Sequence, residues 1–226
     1  AITPETRAFL LCNPHNPVGR PHSREELSAV AELAAKYGAT VVGDEIHGPL
    51  TYPDSQFTPF LSVSDAAREV GVCVTAASKA WNLAGLKCAI MVTSGGPHQS
   101  IVGSMPDEVY WRTSLFGLKA SVAGYRDGAE WLDGIIASLD ANRQLLTTLL
   151  ASQLPGVRYR MPEATYLAWL DFTTLGWGDD PAAHILEHAK VALSNGPPFG
   201  KQGLGFARLN LACAPATLTE AVTRIA

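Results

Sequence analysis

Lys79 sits in Ala77-Ser78-Lys79-Ala80-Trp81-Asn82-Leu83-Ala84-Gly85-Leu86-Lys87, a phrase suited to an amine that forms a Schiff base with a carbonyl. A hydroxyl precedes the amine, and a glycine turn with a second cation follows it. To react near neutral pH the ammonium must lose a proton, which desolvation or a neighbouring cation promotes. The freed amine can then act as a general base toward a carbon acid. Asp44 closes the apolar run Val41-Val42-Gly43-Asp44-Glu45-Ile46-His47, and a carboxylate largely out of water holds a proton on a heterocyclic nitrogen well. Asn16, in Cys12-Asn13-Pro14-His15-Asn16-Pro17-Val18-Gly19-Arg20, offers an amide in a turn built from two Asn-Pro pairs. Ser78 and Lys87, a hydroxyl and a point charge, suit a phosphate. Arg208, in Phe206-Ala207-Arg208-Leu209-Asn210-Leu211-Ala212, carries a planar fork that matches a carboxylate. Each has an ordinary reading as well: a surface lysine, a solvated aspartate, a turn-former, an arginine paired to a structural carboxylate. The ordered set outweighs those readings.

The elements expected around these residues would bring them to one edge. A strand over 9–12 gives way to a Pro-rich loop and then to a helix over about 24–37. Ser23 is its N-cap, Glu26 completes a capping box, and Gly38 suits the left-handed stop. A β-branched run over 40–43 reads as a strand buried on both faces if central. A short helix near 65–69 precedes strands over 72–76 and 88–93, which bracket Lys79. Strands separated by helical crossovers make a mostly parallel α/β sheet, whose carboxyl-end loops form the ligand crevice. Asn16, Asp44 and Lys79 each follow such an end. From 116 to 154 the period turns helical, with Trp131, Ile135 and Leu139 at one spacing and Leu145, Leu146, Leu149 and Leu150 continuing the apolar face. Strands over 157–160 and 166–172, a helix over 181–191, a strand over 206–212 and a last helix over 217–226 read as a separate small α+β domain. The boundary is placed near 140, giving domains 1–140 and 141–226.

Composition narrows the classes. Apolar residues are 47% and charged residues 17% of 226, enough for a substantial core and unlike a disordered chain. The net charge of −4 argues against a nucleic-acid surface. No apolar run reaches a membrane span and no signal sequence opens the chain. Cys12, Cys73, Cys88 and Cys213 lie far apart and read as reduced core residues of a cytoplasmic protein, with no metal site expected.

The three phrases around Asn16, Asp44 and Lys79, in that order, resemble the cofactor site of fold-type I pyridoxal 5'-phosphate enzymes of the aminotransferase class I/II superfamily. The resemblance implies that Lys79 carries the cofactor covalently, that Asp44 pairs with its pyridine nitrogen, and that Asn16 donates to its phenolate oxygen. It assigns Ser78 and Lys87 to the phosphate and Arg208 to the substrate carboxylate, beside a mobile 195–200 loop. The finer resemblance is to the cystathionine β-lyase-like branch, the MalY/PatB group of carbon–sulfur lyases. His47, which the resemblance also assigns to the cofactor, stands where aminotransferases usually carry Tyr. The phrases Ala164-Thr165-Tyr166-Leu167-Ala168-Trp169-Leu170-Asp171 and Gly124-Tyr125-Arg126-Asp127-Gly128-Ala129-Glu130-Trp131-Leu132-Asp133 are similar to that branch. Lys87 in place of Arg, Ala76 in place of a hydroxyl residue, Pro49 and Phe57 depart from the usual pattern. The implied protein is a cytoplasmic homodimer that releases pyruvate, ammonia and a thiol from cystathionine- or cysteine-conjugate-like amino acids. An aminotransferase is the alternative. The sequence opens almost directly on a strand, so the resemblance further implies an absent upstream part of the cofactor domain. These residues alone would then be an inactive C-terminal fragment without bound cofactor.

Two other motifs compete. Asp44-Glu45-Ile46-His47 spells a DExH box, but the phosphate loop it needs is missing from the sequence. His184-Ile185-Leu186-Glu187-His188 fits an inverted zincin motif; its ordinary reading is an amphipathic helix with Ile185, Leu186 and Ala189 inward.

Overall fold

A computed structural model describes residues 2–226, in two compact units. The first comprises Ala1–His15 and Pro21–Gly134; the second comprises Asn16–Arg20 and Ile135–Ala226.

The first unit is built on strands β1 (Ala8–Cys12), β2 (Thr40–Asp44), β3 (Gly71–Thr75) and β4 (Ile90–Val92), in that spatial order. β1/β2 and β2/β3 pair in parallel; β3/β4 is antiparallel. The parallel pairs need crossovers, and helices α1 (Arg24–Tyr37) and α2 (Asp65–Val70) supply them. α1 starts where its capping box places it. The Ser23 hydroxyl accepts from the Glu26 amide, and the Glu26 side chain accepts from the Ser23 amide. It ends at Gly38 with φ +66, a left-handed stop that glycine reaches without a Cβ penalty. Leu27, Ala31 and Ala34, at helical spacing, are fully buried against Leu11, Val41, Cys73, Phe60, Ala67 and Val70. The expected two-sided burial of the strand after residue 40 is not found. Val41 and Gly43 are buried, Thr40 and Val42 half-buried, and Leu10, on the neighbouring strand, is 80% exposed.

After β3 come α3 (Ala77–Ala80), β4, α4 (Gly96–Gly103), α5 (Asp107–Trp111) and α6 (Leu115–Asp127). The sequence reading contained neither α4 nor α5.

Helix α7 (Ala129–Gln153) contains the change of unit at 134/135. The second unit adds β5 (Arg158–Tyr159), β6 (Leu167–Asp171), α8 (Pro181–Ala189), β7 (Ser194–Asn195), β8 (Phe206–Asn210) and α9 (Pro215–Ile225). Its sheet is antiparallel, in the order β5-β6-β8-β7. Leu146, Leu149 and Leu150 of α7 are buried, as are Leu170, Ile185, Leu209, Leu218 and Val222. Trp131, read as part of the same apolar stripe, is exposed. Two polar residues of α7 are buried with their partners. Asn142 donates to Leu211 O and Cys213 O, both at 2.8 Å. Arg143 donates to Pro162 O at 2.8 Å and pairs with Asp140. The Asn16–Arg20 segment is stitched to this unit through Gly19, whose carbonyl accepts from the amides of Glu163 and Ala164. A Cβ on Gly19 would lie 2.4 Å from Pro162 Cβ, and its φ is +68, so only glycine fits there. A boundary drawn along the chain at 140 misses this strap.

Candidate active site

The carboxyl ends of β2 and β3 carry the first group of sequence-picked residues. Asp44 is the last residue of β2 and pairs in register with Val74 of β3. Its main-chain carbonyl accepts from Asn13 N at 2.9 Å. Its exposed carboxylate accepts from Ile46 N at 3.2 Å, a local turn of the kind aspartate forms at strand ends. β3 runs through Ala76 into α3, which carries Ser78 and Lys79, both half-buried. Adjacent parallel strands thus deliver Asp44 and Lys79 to the same edge, where open α/β sheets bind ligands. Trp81 N donates to Ala77 O and Leu83 N to Ser78 O, after which a 3-10 turn, Ala84–Leu86, leads to Lys87 at φ +52. Ser78 and Lys87 line one cavity of about 490 Å³, together with Ile46, Val74, Tyr110 and Arg112. Tyr110 and Arg112 lie in a stretch that matched no motif, so the sequence reading missed them.

His47 is buried, and its carbonyl accepts from Leu50 N at 2.9 Å. The two Asn-Pro pairs have different jobs. Asn13 is fully buried, accepts from His22 N and donates to Thr58 O, so it joins loops. Asn16 instead accepts from a guanidinium.

That group is Arg208. Its Nη1 donates to Asn16 Oδ1 at 2.8 Å and its Nη2 to Ser194 Oγ at 3.3 Å. The Phe199 ring centroid lies 5.1 Å from its guanidinium carbon, and Trp169 meets Phe199 edge-on at 5.3 Å. No carboxylate among the described residues pairs with Arg208, and its Nε is buried without a hydrogen-bond partner. A half-buried guanidinium held by a neutral amide, with a buried donor to spare, fits an arginine that binds an external carboxylate. The contact between Asn16 and Arg208 was not read from the sequence, where the two had separate roles.

Glu45, next to Asp44, is buried. Its Oε1 accepts from Phe60 N at 2.6 Å. Burial is the main force raising its pKa; the Phe60 amide and Cys73 thiol pull the value down, and Asp44 pushes it further up. Cys73 is in turn pushed up to about 12, by burial first and then by the Glu45 charge and hydrogen bond, which leaves the thiol protonated and inert at neutral pH. Among the cysteines only Cys73 is buried, which corrects the expectation of four core residues. A carboxyl raised on folding holds its proton more tightly in the folded chain. Its contribution is therefore complete below the unfolded pKa and is lost as pH rises through the folded value. Glu45→Gln abolishes that loss. The melting temperature of the variant minus that of the parent should climb as pH rises above the ordinary carboxylate range; a flat difference in thermal melts rejects the assignment.

The competing zincin motif finds no support. Leu186, expected inward, is 51% exposed. His184 instead stacks between Trp177 and His188, at 5.0 and 4.2 Å, and His188 Nδ1 lies 2.9 Å from His184 O. No group of three metal-type side chains occurs among the described residues.

A family model described as aminotransferase class I and II matches residues 1–225. The chain belongs to that family. Among its relatives, the cystathionine beta-lyase of Corynebacterium glutamicum is 39% identical over 97% of this chain and 58% of its own length. Cystathionine beta-lyase PatB of Bacillus subtilis (strain 168) is 38% identical over 98% of this chain and 58% of its own length. The crystal structure of cystalysin from Treponema denticola, which contains a pyridoxal 5'-phosphate cofactor, matches with a TM-score of 0.86 at 29% identity. That match covers 96% of this chain and 56% of cystalysin. The chain thus spans under six-tenths of the length of these proteins. The fold class read from the sequence, a mostly parallel α/β sheet with a small α+β tail, is the one found.

Proposed function

We propose that the protein carrying this chain is a pyridoxal 5'-phosphate-dependent carbon–sulfur β-lyase acting on cystathionine- or cysteine-conjugate-like amino acids. The observation that carries this is the delivery of Asp44 and Lys79 to the carboxyl ends of adjacent parallel strands. The donor set fits the cofactor. An exposed carboxylate, an amine, and a cavity holding a hydroxyl and a cation match a basic ring nitrogen, an aldehyde and a phosphate respectively. The named relatives and the cofactor of cystalysin support the same reading.

Pyridoxal phosphate, when bound, supplies an electron sink for negative charge at the substrate Cα. Asp44 is assigned to hold the proton of the ring nitrogen, and Ser78 and Lys87 to the phosphate oxygens. His47 is assigned, with Asp44, to the cofactor. Lys79 would be the point of covalent attachment and afterwards the base that takes the Cα proton. Once the Cα proton is gone, its electron pair would form a Cα=Cβ bond while the Cβ–S pair leaves with sulfur as a thiolate, and water would hydrolyse the resulting enamine to pyruvate and ammonia. Arg208, steadied by Asn16, grips the substrate carboxylate; we assign Asn16 also to the cofactor's phenolate oxygen. The proposed setting is a homodimer in the cytoplasm. Exposed Trp111 and Phe116, at 74% and 75%, support the first, since large bare aromatics mark interaction surfaces. No described helix is long and apolar enough to cross a membrane, and a net charge of −4 does not favour nucleic acid. The 226 residues by themselves are proposed to be inactive, because the named relatives are far longer.

The test is cystathionine turnover by the full-length protein loaded with pyridoxal phosphate. Stoichiometric pyruvate is expected. Amino transfer to a keto acid without pyruvate would make it an aminotransferase instead.

A further inference from the structure

Helix α6 presents Gly117, Ser121, Gly124 and Gly128 at i, i+4, i+7 and i+11, one stripe of a helix that continues into its C-cap. Gly117 and Ser121 are its buried residues. The stripe lies against the segment that links Lys79 to Lys87. A Cβ on Gly117 would lie 2.2 Å from Leu86 O, one on Gly124 would lie 3.1 Å from the Trp81 ring, and one on Gly128 would lie 2.4 Å from Trp81 Nε1. Trp81 Nε1 donates to Gly128 O at 2.9 Å. Tyr125 meets the same indole edge-on at 4.8 Å and 66°, a favoured aromatic geometry. At the other end of the stripe, Ser114 N, at the N-cap of α6, approaches Lys87 O at 3.4 Å. The glycines of the phrase Gly124-Tyr125-Arg126-Asp127-Gly128 thus have a physical reason. They leave room for an indole two residues beyond the reactive lysine.

We propose that Trp81 is a positioning residue, keyed into the Gly124/Gly128 seat of α6 so that the short helix bearing Ser78 and Lys79 keeps one placement relative to Lys87. α3 is only four residues long, too short to hold itself, so its direction has to come from packing. The indole supplies that packing at three points: a donated hydrogen bond, a ring edge, and a glycine-floored slot. A reactive amine displaced by even an ångström loses much of its effect. The proposal rests on the reading of Lys79 as the cofactor's attachment point.

The experiment uses the full-length protein with Trp81→Leu, Trp81→Phe and Gly128→Ala. Three readouts are taken: the Kd for pyridoxal phosphate, the visible circular-dichroism band per bound cofactor, and borohydride fixation of the cofactor followed by peptide mapping. Trp81→Leu and Gly128→Ala are expected to weaken cofactor binding roughly tenfold and to diminish the dichroic band. Trp81→Phe, which keeps a ring in the slot, should recover most of both. If the leucine variant does not fold, the phenylalanine and alanine variants decide. Substitutions that lower the melting temperature while leaving Kd and the dichroic band at parental values overturn the proposal. Failure of the unsubstituted protein to fix cofactor on Lys79 defeats the site assignment itself, a separate outcome.

Discussion

Lys79→Ala in the full-length protein is expected to abolish borohydride-fixed cofactor and to lower kcat by at least about 10³-fold. General-base removal alone accounts for 10²- to 10⁴-fold, and 10³-fold corresponds to about 4 kcal/mol of barrier. The loss of covalent attachment adds to it. The fold should be indifferent. Lys79 is half-buried in a four-residue helix, and truncation of such side chains usually costs well under 1 kcal/mol. Lys79→Arg keeps the charge but cannot give up its proton, so it should be as inactive as alanine. Peptide mapping and steady-state kinetics on one preparation check all three statements; residual pyruvate release within tenfold of the parent would remove Lys79 from the mechanism.

Arg208→Leu is expected to act mainly on substrate binding. A charge-assisted hydrogen bond contributes about 1.5–3 kcal/mol, so loss of a two-pronged grip should raise KM by roughly 30-fold or more. kcat should change less, because a carboxylate anchor binds ground and transition states alike. Arg208→Lys restores charge without the fork and should recover only part of the loss. The Asn16 side-chain carbonyl, which accepts a hydrogen bond from Nη1, loses its donor in Arg208→Leu. Asn16→Asp offers a contrasting readout: it installs a carboxylate on the arginine and should compete with the substrate for it, raising KM at unchanged protein stability.

The parts of the fold written in local signals were legible. Ser23, Glu26 and Gly38 mark α1 at both ends because caps act within one turn. Asp44 and Lys79 could be assigned to one edge because parallel strands joined by crossovers place their carboxyl ends together. What escaped the reading depends on partners distant in sequence. Asn16 and Arg208 touch only because a five-residue strap belongs to the second unit, and no spacing rule announces that. Glu45 carried no reading of its own beside Asp44, yet it is buried and accepts from the Phe60 amide fifteen residues on. The segment holding α4 and α5 is broken by Gly95, Gly96 and Pro106, which hid its two short helices behind turn chemistry. Trp81 looked like one letter of a motif; its slot is cut by glycines more than forty positions later.

The Gly19 strap sets where this polypeptide can be cut. A clone beginning at residue 135 would strip the acceptor from the Glu163 and Ala164 amides and the amide partner from Arg208, stranding donors that the remaining residues do not serve. Anyone wishing to study the tail in isolation has to graft residues 16–20 back on, since they belong to the same unit as residues 135–226.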